Sequence, residues 1–410
     1  MNSDDPFQFP ASDLPLMDAE AAMDLLISHS ANIKASDLFL HTDETSTEIA
    51  VRQLGTVRRL AVVSPEQGRQ LITYVKVMAG MNISEHRRPM DGRWIRHFDD
   101  MRLDMRINTI ATLFGEDMTL RVWDRNVGIR SINELGMLPN DIGKLHSMLA
   151  SPSGLILVTG PTGTGKTTTL YACLEHLNDG TRKISTLEDP VEYALKGVRQ
   201  AQTQAKLGLD FPELLRNVLR QSPDVIMVGE IRDQETAATA IRAANSGHLV
   251  LATLHAPVAA AAVQSMFALG SNPFFLSSCL LGIVAQRLVR KLCDHCKVAY
   301  DVTEAPETFA PVRELLKTGE GNAIYGPSGC DKCHGLGYSS LTGLFELMTL
   351  NQQIRKLIAT ARPKEEIEKA AIAASMLEFR RSALLCVAMG DTSAEEIVRD
   401  LPPEHLGLED

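Results

Sequence analysis

The chain has 410 residues, with 41 Lys+Arg against 51 Asp+Glu and a formal net charge of −10. That length predicts two to four domains and ample core, and a composition of 44% hydrophobic and 22% charged residues excludes a disordered chain, a fibrous repeat and a disulfide-stapled miniprotein. The acidic balance also argues against a chain whose main work is gripping nucleic acid, because phosphate binding needs a basic face.

The N-terminus, MNSDDPFQFP, has early acids and no basic region ahead of an apolar run, so it is not a secretory signal peptide. Residues 1–17 read as a loose tail. Apolar residues then recur at helical spacing from Asp18 to His29. Strand-like segments follow at Asp37–His41, Glu48–Leu54 and Val57–Val63, and a helix is expected from Pro65 to about Gly80. Met101–Asn108 alternates cleanly, with Met101, Leu103, Met105 and Ile107 on one face and Arg102, Asp104, Arg106 and Asn108 on the other. Asp117–Val122 does the same and puts Arg121 on its polar face. Period-2 alternation marks strands with one buried and one exposed face, so Arg106 and Arg121 are expected to be free to meet a partner.

A boundary is expected near Arg125–Asn140. After it, apolar strands at Leu155–Thr159, Lys183–Leu187, Val225–Val228 and His248–Leu254 alternate with helices. That pattern predicts a parallel sheet in an α/β domain. The longest apolar stretch, Phe274–Ala285, is too short to span a bilayer and reads as a core helix. Residues 291–343 carry many Cys, Gly and Pro, and from about Leu344 the pattern is helical. A soluble cytoplasmic protein is the expectation.

Gly160-Pro161-Thr162-Gly163-Thr164-Gly165-Lys166-Thr167 fits G-x-x-x-x-G-K-[ST] between a strand and the helical stretch that opens at Thr168. Glycines let backbone N–H groups wrap a β-phosphate, and the helix N-terminus adds its dipole. Lys166 would reach the β- and γ-phosphates of ATP and Thr167 would hold Mg²⁺. Val225–Val228 ends at Gly229-Glu230, where a carboxylate can orient Mg²⁺ or its waters. Glu188, Asp189 and Glu192 cluster after the strand at 183–187. They suit polarising an attacking water or holding the metal's shell, or else form a solvated acidic turn. The strand at 248–254 is flanked by His248 and His255. Either could sense a γ-phosphate, although a lone histidine there is more often simply hydrogen-bonded. Cys293-x-x-Cys296 and Cys330-x-x-Cys333, with 33 residues between the pairs, make a closed tetrahedral Zn²⁺ site feasible, of a structural kind. Cys173, Cys279 and Cys386 lie in apolar stretches and read as buried small side chains.

Taken in order, these motifs resemble the secretion-superfamily ATPases of type II secretion and type IV pilus assembly (GspE/PilB-like). TLEDPVEY (186–193) is similar to the family's Asp box, DVIMVGEIRDQETA (224–237) to its Walker B segment and AANSGHLVLATLHA (243–256) to its His box. The cysteine quartet resembles the assembly branch, and VMAGMNISEHRRPMDGR (77–93) with Arg106 and Arg121 resembles the family's second N-terminal domain. The resemblance implies an N-terminal α/β, PAS-like domain at 18–128 and a RecA-like P-loop ATPase domain at 129–290. A zinc-binding segment at 291–343 and a helical region at 344–410 follow. It implies a homohexamer hydrolysing ATP with Mg²⁺ in the cytoplasm, working on inner-membrane platform proteins, with no direct nucleic acid. Glu192 would be the general base, Glu230 the Walker B acid and His255 a further catalytic group. Residues 160–168, Glu188 and Asp189 would bind nucleotide, and Arg106 and Arg121 would reach the γ-phosphate. A retraction or conjugation-type ATPase is the alternative, with a nucleic-acid motor behind it. The chain departs from the family pattern at Asp37-Leu38-Phe39, Leu54-Gly55, Ala256-Pro257 and Ser382-Ala383. The further N-terminal docking domain of longer members is expected to be missing.

Overall fold

The computed structural model describes residues 9, 11–12, 14–98, 101–124 and 130–406. The first five residues of the expected boundary stretch 125–140 lie outside them, as does most of the expected tail. The chain divides into two compact units, residues 1–128 with the segment 328–338, and the remainder.

The first unit is a six-stranded sheet with two helices. Its strands are β1 (Asp37–Thr42), β2 (Thr47–Gln53), β3 (Thr56–Val63), β4 (Met90–Phe98), β5 (Met101–Ala111) and β6 (Glu116–Asp124), in the order β3-β2-β1-β6-β5-β4. All its neighbouring pairs are antiparallel. Helix α1 (Ala19–Asn32) starts where Asp18 accepts from the Ala21 N–H at 2.8 Å, and α2 (Pro65–Met78) where Ser64 accepts from the Gln67 N–H. Such caps satisfy donors that a helix start leaves orphaned. The helical apolar stripe, including Met23, Leu26, Leu71 and Val75, packs on Leu38, Ile49, Leu103 and Leu120. Phe9 and Leu14 join this core although they fall in the stretch read as tail.

Two expectations are corrected here. The alternation placed Asp104 on a solvent face, yet it is 8% exposed. Strand β4, which the sequence reading did not foresee, lays Arg93 beside it, and the guanidinium forks onto the carboxylate at 2.8 and 2.5 Å. Arg121 is not free either. Its Nε donates to Asp37 Oδ1 at 3.2 Å.

The second unit is doubly wound. Its elements in chain order are α3 (Pro139–Leu149), β7 (Gly154–Thr159), α4 (Lys166–Leu177), β8 (Ile184–Glu188), β9 (Arg199–Gln202), α5 (Phe211–Leu219), β10 (Val225–Val228), α6 (Gln234–Asn245), β11 (Leu249–Leu254), α7 (Ala259–Ala268), α8 (Pro273–Cys279), β12 (Leu280–Leu292), β13 (Val298–Asp301), β14 (Ala323–Gly326) and β15 (Tyr338–Thr349). Helices α9 (Gln352–Ala359), α10 (Lys364–Ala373), α11 (Phe379–Ala388), α12 (Ala394–Asp400) and α13 (Pro403–Leu406) complete it. Seven strands form the sheet β15-β12-β7-β11-β10-β8-β9, and β13 pairs with β14 separately. The pairs from β12 across to β9 are parallel.

Alternate residues of each buried strand feed two different cores. Leu155, Leu157, Ile226 and Val250 point to the core under α5, α6 and α7. Ile156, Val158, Val225 and Leu249 point to the core under α3 and α4. A strand covered on both faces reads as a continuous apolar run, which is why these three strands were legible.

The apolar stretch Phe274–Ala285 is not one helix. It is helical only to Cys279 and continues as β12, and its expected core position fails at Phe274 and Phe275, which are 66% and 55% exposed. The helical end likewise begins at Gln352 rather than Leu344, because Leu344–Thr349 belong to β15. Cys173 and Cys279 are buried as expected, while Cys386 is half-buried. Among the described residues no helix is long and apolar enough to cross a membrane.

Candidate functional site at the carboxyl edge of the parallel sheet

In an open parallel sheet, ligands bind beyond the carboxyl ends of the strands. Here β7, β8, β10 and β11 end together, and each delivers one of the sequence-predicted groups.

The loop after β7 is a cradle. Gly160, Gly163 and Gly165 hold φ of 147°, 81° and 85°, conformations that side chains resist. A Cβ on Gly160 would also come within 2.5 Å of the Gln286 carbonyl oxygen. Pro161, Thr162 and Thr167 are exposed, Thr164 is buried and Thr168 is half-buried. Helix α4 begins at Lys166, one turn's worth of unpaired N–H groups facing the loop. The Lys166 ammonium turns back to the carbonyls of Gly160 and Pro161, at 2.7 and 2.8 Å. Burial lowers its pKa from the ordinary value, and the nearby Glu230 carboxylate opposes that.

Glu230 follows β10. Its Oε1 lies 2.7 Å from His255 Nε2 and its Oε2 2.5 Å from Arg232 Nη2, with Arg232 Nε donating at 2.6 Å. Arg232 also stands 3.9 Å from Asp189. Its own pKa is held up by the Glu230 hydrogen bond. The strand tips are tied together, since Thr253 Oγ1 donates to the Gly229 carbonyl at 2.5 Å and the Ile231 N–H to the Thr253 carbonyl at 2.9 Å. The two histidines differ in kind: His248 Nδ1 meets the Ala243 carbonyl at 3.0 Å, while His255 faces Glu230.

The acidic cluster after β8 splits. Glu188 is 3% exposed. It accepts from the Tyr171 hydroxyl, from Thr186 Oγ1 at 2.5 Å and from Gln200 Nε2 at 3.0 Å. Asp189 and Glu192 are exposed. Glu188 therefore shapes the strand end from inside rather than presenting an open carboxylate.

In the first unit, Arg52, Asp37, Arg121, Arg106 and Arg93 stand in register across five strands. Like charges opposite one another destabilise a sheet. The Asp37 carboxylate, 6% exposed, offsets this at 3.2 Å from Arg121 and 3.6 Å from Arg52.

Cys293-x-x-Cys296 lies in the second unit and Cys330-x-x-Cys333 in the segment 328–338 of the first. Backbone N–H groups of Cys330 and Gly337 donate to Cys333 Sγ at 3.2 Å each. Two C-x-x-C pairs, one with N–H donors aimed at a sulfur, are a donor set compatible with a closed tetrathiolate Zn²⁺ centre.

A family model described as "Type II/IV secretion system protein" matches residues 17–399. The chain belongs to that family. It is 40% identical to the type II secretion system protein HxcR of Pseudomonas aeruginosa over 91% of this chain and 75% of that protein. It is 39% identical to the type II secretion system ATPase E of Vibrio cholerae over 89% and 72%. Among solved structures, the pilus retraction motor PilT with bound ADP is similar at 25% identity and a TM-score of 0.61, covering 93% of this chain and 98% of that one. The ATPase DotB of Legionella pneumophila shares the fold, with a TM-score of 0.69 at 20% identity, over 92% and 94%. The doubly wound sheet is thus the fold expected of a secretion-family chain.

Motif reading missed Arg232, Tyr171 and the pair Gln286-Arg287. Arg232 lies inside the quoted Walker B segment, two residues past Glu230, and pairs with the Glu230 carboxylate. The signal at 286–287 was two polar residues interrupting a long apolar run.

Proposed function

We propose that this chain is a hexameric Mg²⁺-dependent ATPase that drives a type II secretion or type IV pilus assembly machine from the cytoplasmic side of inner-membrane platform proteins. The observation that carries the reading is the meeting of the glycine cradle, Lys166 and the Glu230–His255–Arg232 cluster at one sheet edge. Lys166 would leave its loop carbonyls for the β- and γ-phosphates. The loop N–H groups of residues 160–168 would hold the β-phosphate. Thr167 and Glu230 would hold Mg²⁺ and its water shell, and the ion neutralises charge on the phosphates. Glu192 would take the proton of the attacking water, Asp189 would help to bind nucleotide, and Glu188 would fix the turn. His255, hydrogen-bonded to Glu230, would register the γ-phosphate. Arg106 and Arg121 would supply positive charge to it. The cysteine quartet would carry one structural Zn²⁺.

ATPase rate, assembly state and zinc content of the full chain test this, in wild type and Lys166→Ala, with and without single-stranded DNA. The reading expects a hexamer with one zinc per chain, turnover indifferent to DNA, and a loss of at least about 100-fold in Lys166→Ala. Turnover that survives the substitution, or that rises strongly with DNA, overturns it.

A further inference from the structure

Strand β12 carries two adjacent polar side chains into an apolar interior, Gln286 at 2% and Arg287 at 5% exposure. Neighbouring residues on a strand point to opposite faces. Gln286 faces the phosphate loop. Its Nε2 donates to the Thr164 carbonyl at 2.6 Å, and its Oε1 accepts from Thr169 Oγ1, on the first turn of α4, at 2.8 Å. Its backbone oxygen is the atom against which Gly160 packs. One residue therefore touches the beginning, the middle and the helical exit of the loop.

Arg287 faces the other way. Its Nη2 donates at 3.0 Å to the carbonyl of Pro257, two residues past His255. Its guanidinium lies over the Phe379 ring at 5.3 Å. The Phe379 N–H donates to Glu346 Oε1 at 3.1 Å, and the Ala259 N–H, at the start of α7, to Glu346 Oε2 at 2.9 Å. The segment 256–259 is thus held at one end by Arg287 and at the other by Glu346, and both holders meet on Phe379. His255 leads directly into that segment.

Burying a guanidinium carries a desolvation penalty that well-packed apolar residues avoid. Stability alone gives no reason to place Gln-Arg here. We infer that Gln286 and Arg287 are positioning residues with separate tasks in the reaction proposed above. Gln286 sets the loop that grips the phosphates. Arg287 sets the segment that presents His255 to Glu230, and it links that segment to the start of α11. The inference rests on reading the loop as an ATP site.

The separation is the test. The full chain is prepared as wild type, Gln286→Leu, Arg287→Met, Arg287→Lys and Phe379→Leu. Affinity for a fluorescent ADP is measured by titration, kcat and KM by phosphate release, and the folded fraction by melting. Gln286→Leu is expected to weaken ADP binding about tenfold, the scale of one to two buried hydrogen bonds. Arg287→Met is expected to lower kcat about tenfold while ADP affinity stays within about twofold of wild type. Arg287→Lys recovers part of that kcat, and Phe379→Leu moves kcat in the same direction as Arg287→Met. Should Arg287→Met not fold, Arg287→Lys and Phe379→Leu read the same split. Wild-type kcat and affinity in every folded variant overturn the inference. So does a parallel fall of both quantities in step with the folded fraction, which is what a purely structural role gives. An absence of ADP binding in the wild-type chain strikes the ATP reading itself.

Discussion

Glu230 is held by partners on both oxygens, His255 on one and Arg232 on the other. His255 comes from the end of β11 and Arg232 from the turn after β10 that also carries Glu230, so the geometry depends on how these two neighbouring strands end. Glu346 shows the opposite use of a carboxylate. It is 2% exposed, and burial raises its pKa from the ordinary 4.5 to about 7, against the pull of its two backbone N–H partners, with Glu368 and Glu378 adding to the rise. A carboxyl whose folded pKa lies above its unfolded value contributes stability that is complete below the unfolded pKa and is lost as pH rises through the folded one. Glu346→Gln is neutral throughout. Its melting temperature relative to wild type is therefore expected to climb between pH 5 and about 8, with a full swing on the order of 3 kcal/mol. A difference that stays flat with pH contradicts this. Of the residue-scale site, the motif positions were legible because fixed spacing ties them to one loop or strand end. The burial of Glu188 was not legible because spacing does not show burial. Gln286 was missed because its partner loop lies more than a hundred residues away in sequence.

At the scale of elements, what was legible follows from periodicity. Strands with one wet face alternate and strands with two dry faces run apolar, so β1–β3, β5–β8, β10 and β11 could be read. β4 could not, because Met90–Phe98 carries charge on an edge strand. β12 could not, because a buried strand following a seven-residue helix has the same apolar signature as a longer helix. The turn between β2 and β3 shows a local conflict. Leu54 adopts φ +47° beside Gly55 at +80°. A branched apolar residue in the left-handed region costs roughly 1–2 kcal/mol, and aspartate tolerates it better. Leu54→Asp is expected to raise unfolding stability by about 1 kcal/mol, read as a higher denaturant midpoint at unchanged slope. A lower midpoint would show that Leu54 packs usefully where it stands.

At the scale of the molecule, the order of the motifs announced a parallel α/β sheet, and seven strands with helices on both faces bear that out. Alternation marked strands of the first unit as having one buried and one exposed face, while its antiparallel pairing and strand β4 needed the register to be seen. Family membership rests on a match over residues 17–399. The chemistry rests on the strand ends that gather Lys166, Glu230 and His255.

The most direct measurement of that chemistry is single-turnover hydrolysis of radiolabelled ATP by the wild-type chain and Glu230→Gln, with Mg²⁺ and with EDTA. The account predicts Mg²⁺-dependent release of phosphate by wild type. It predicts that Glu230→Gln retains bound ATP and releases phosphate at least about 100-fold more slowly. Release by Glu230→Gln at the wild-type rate, or wild-type release unaffected by EDTA, would contradict it.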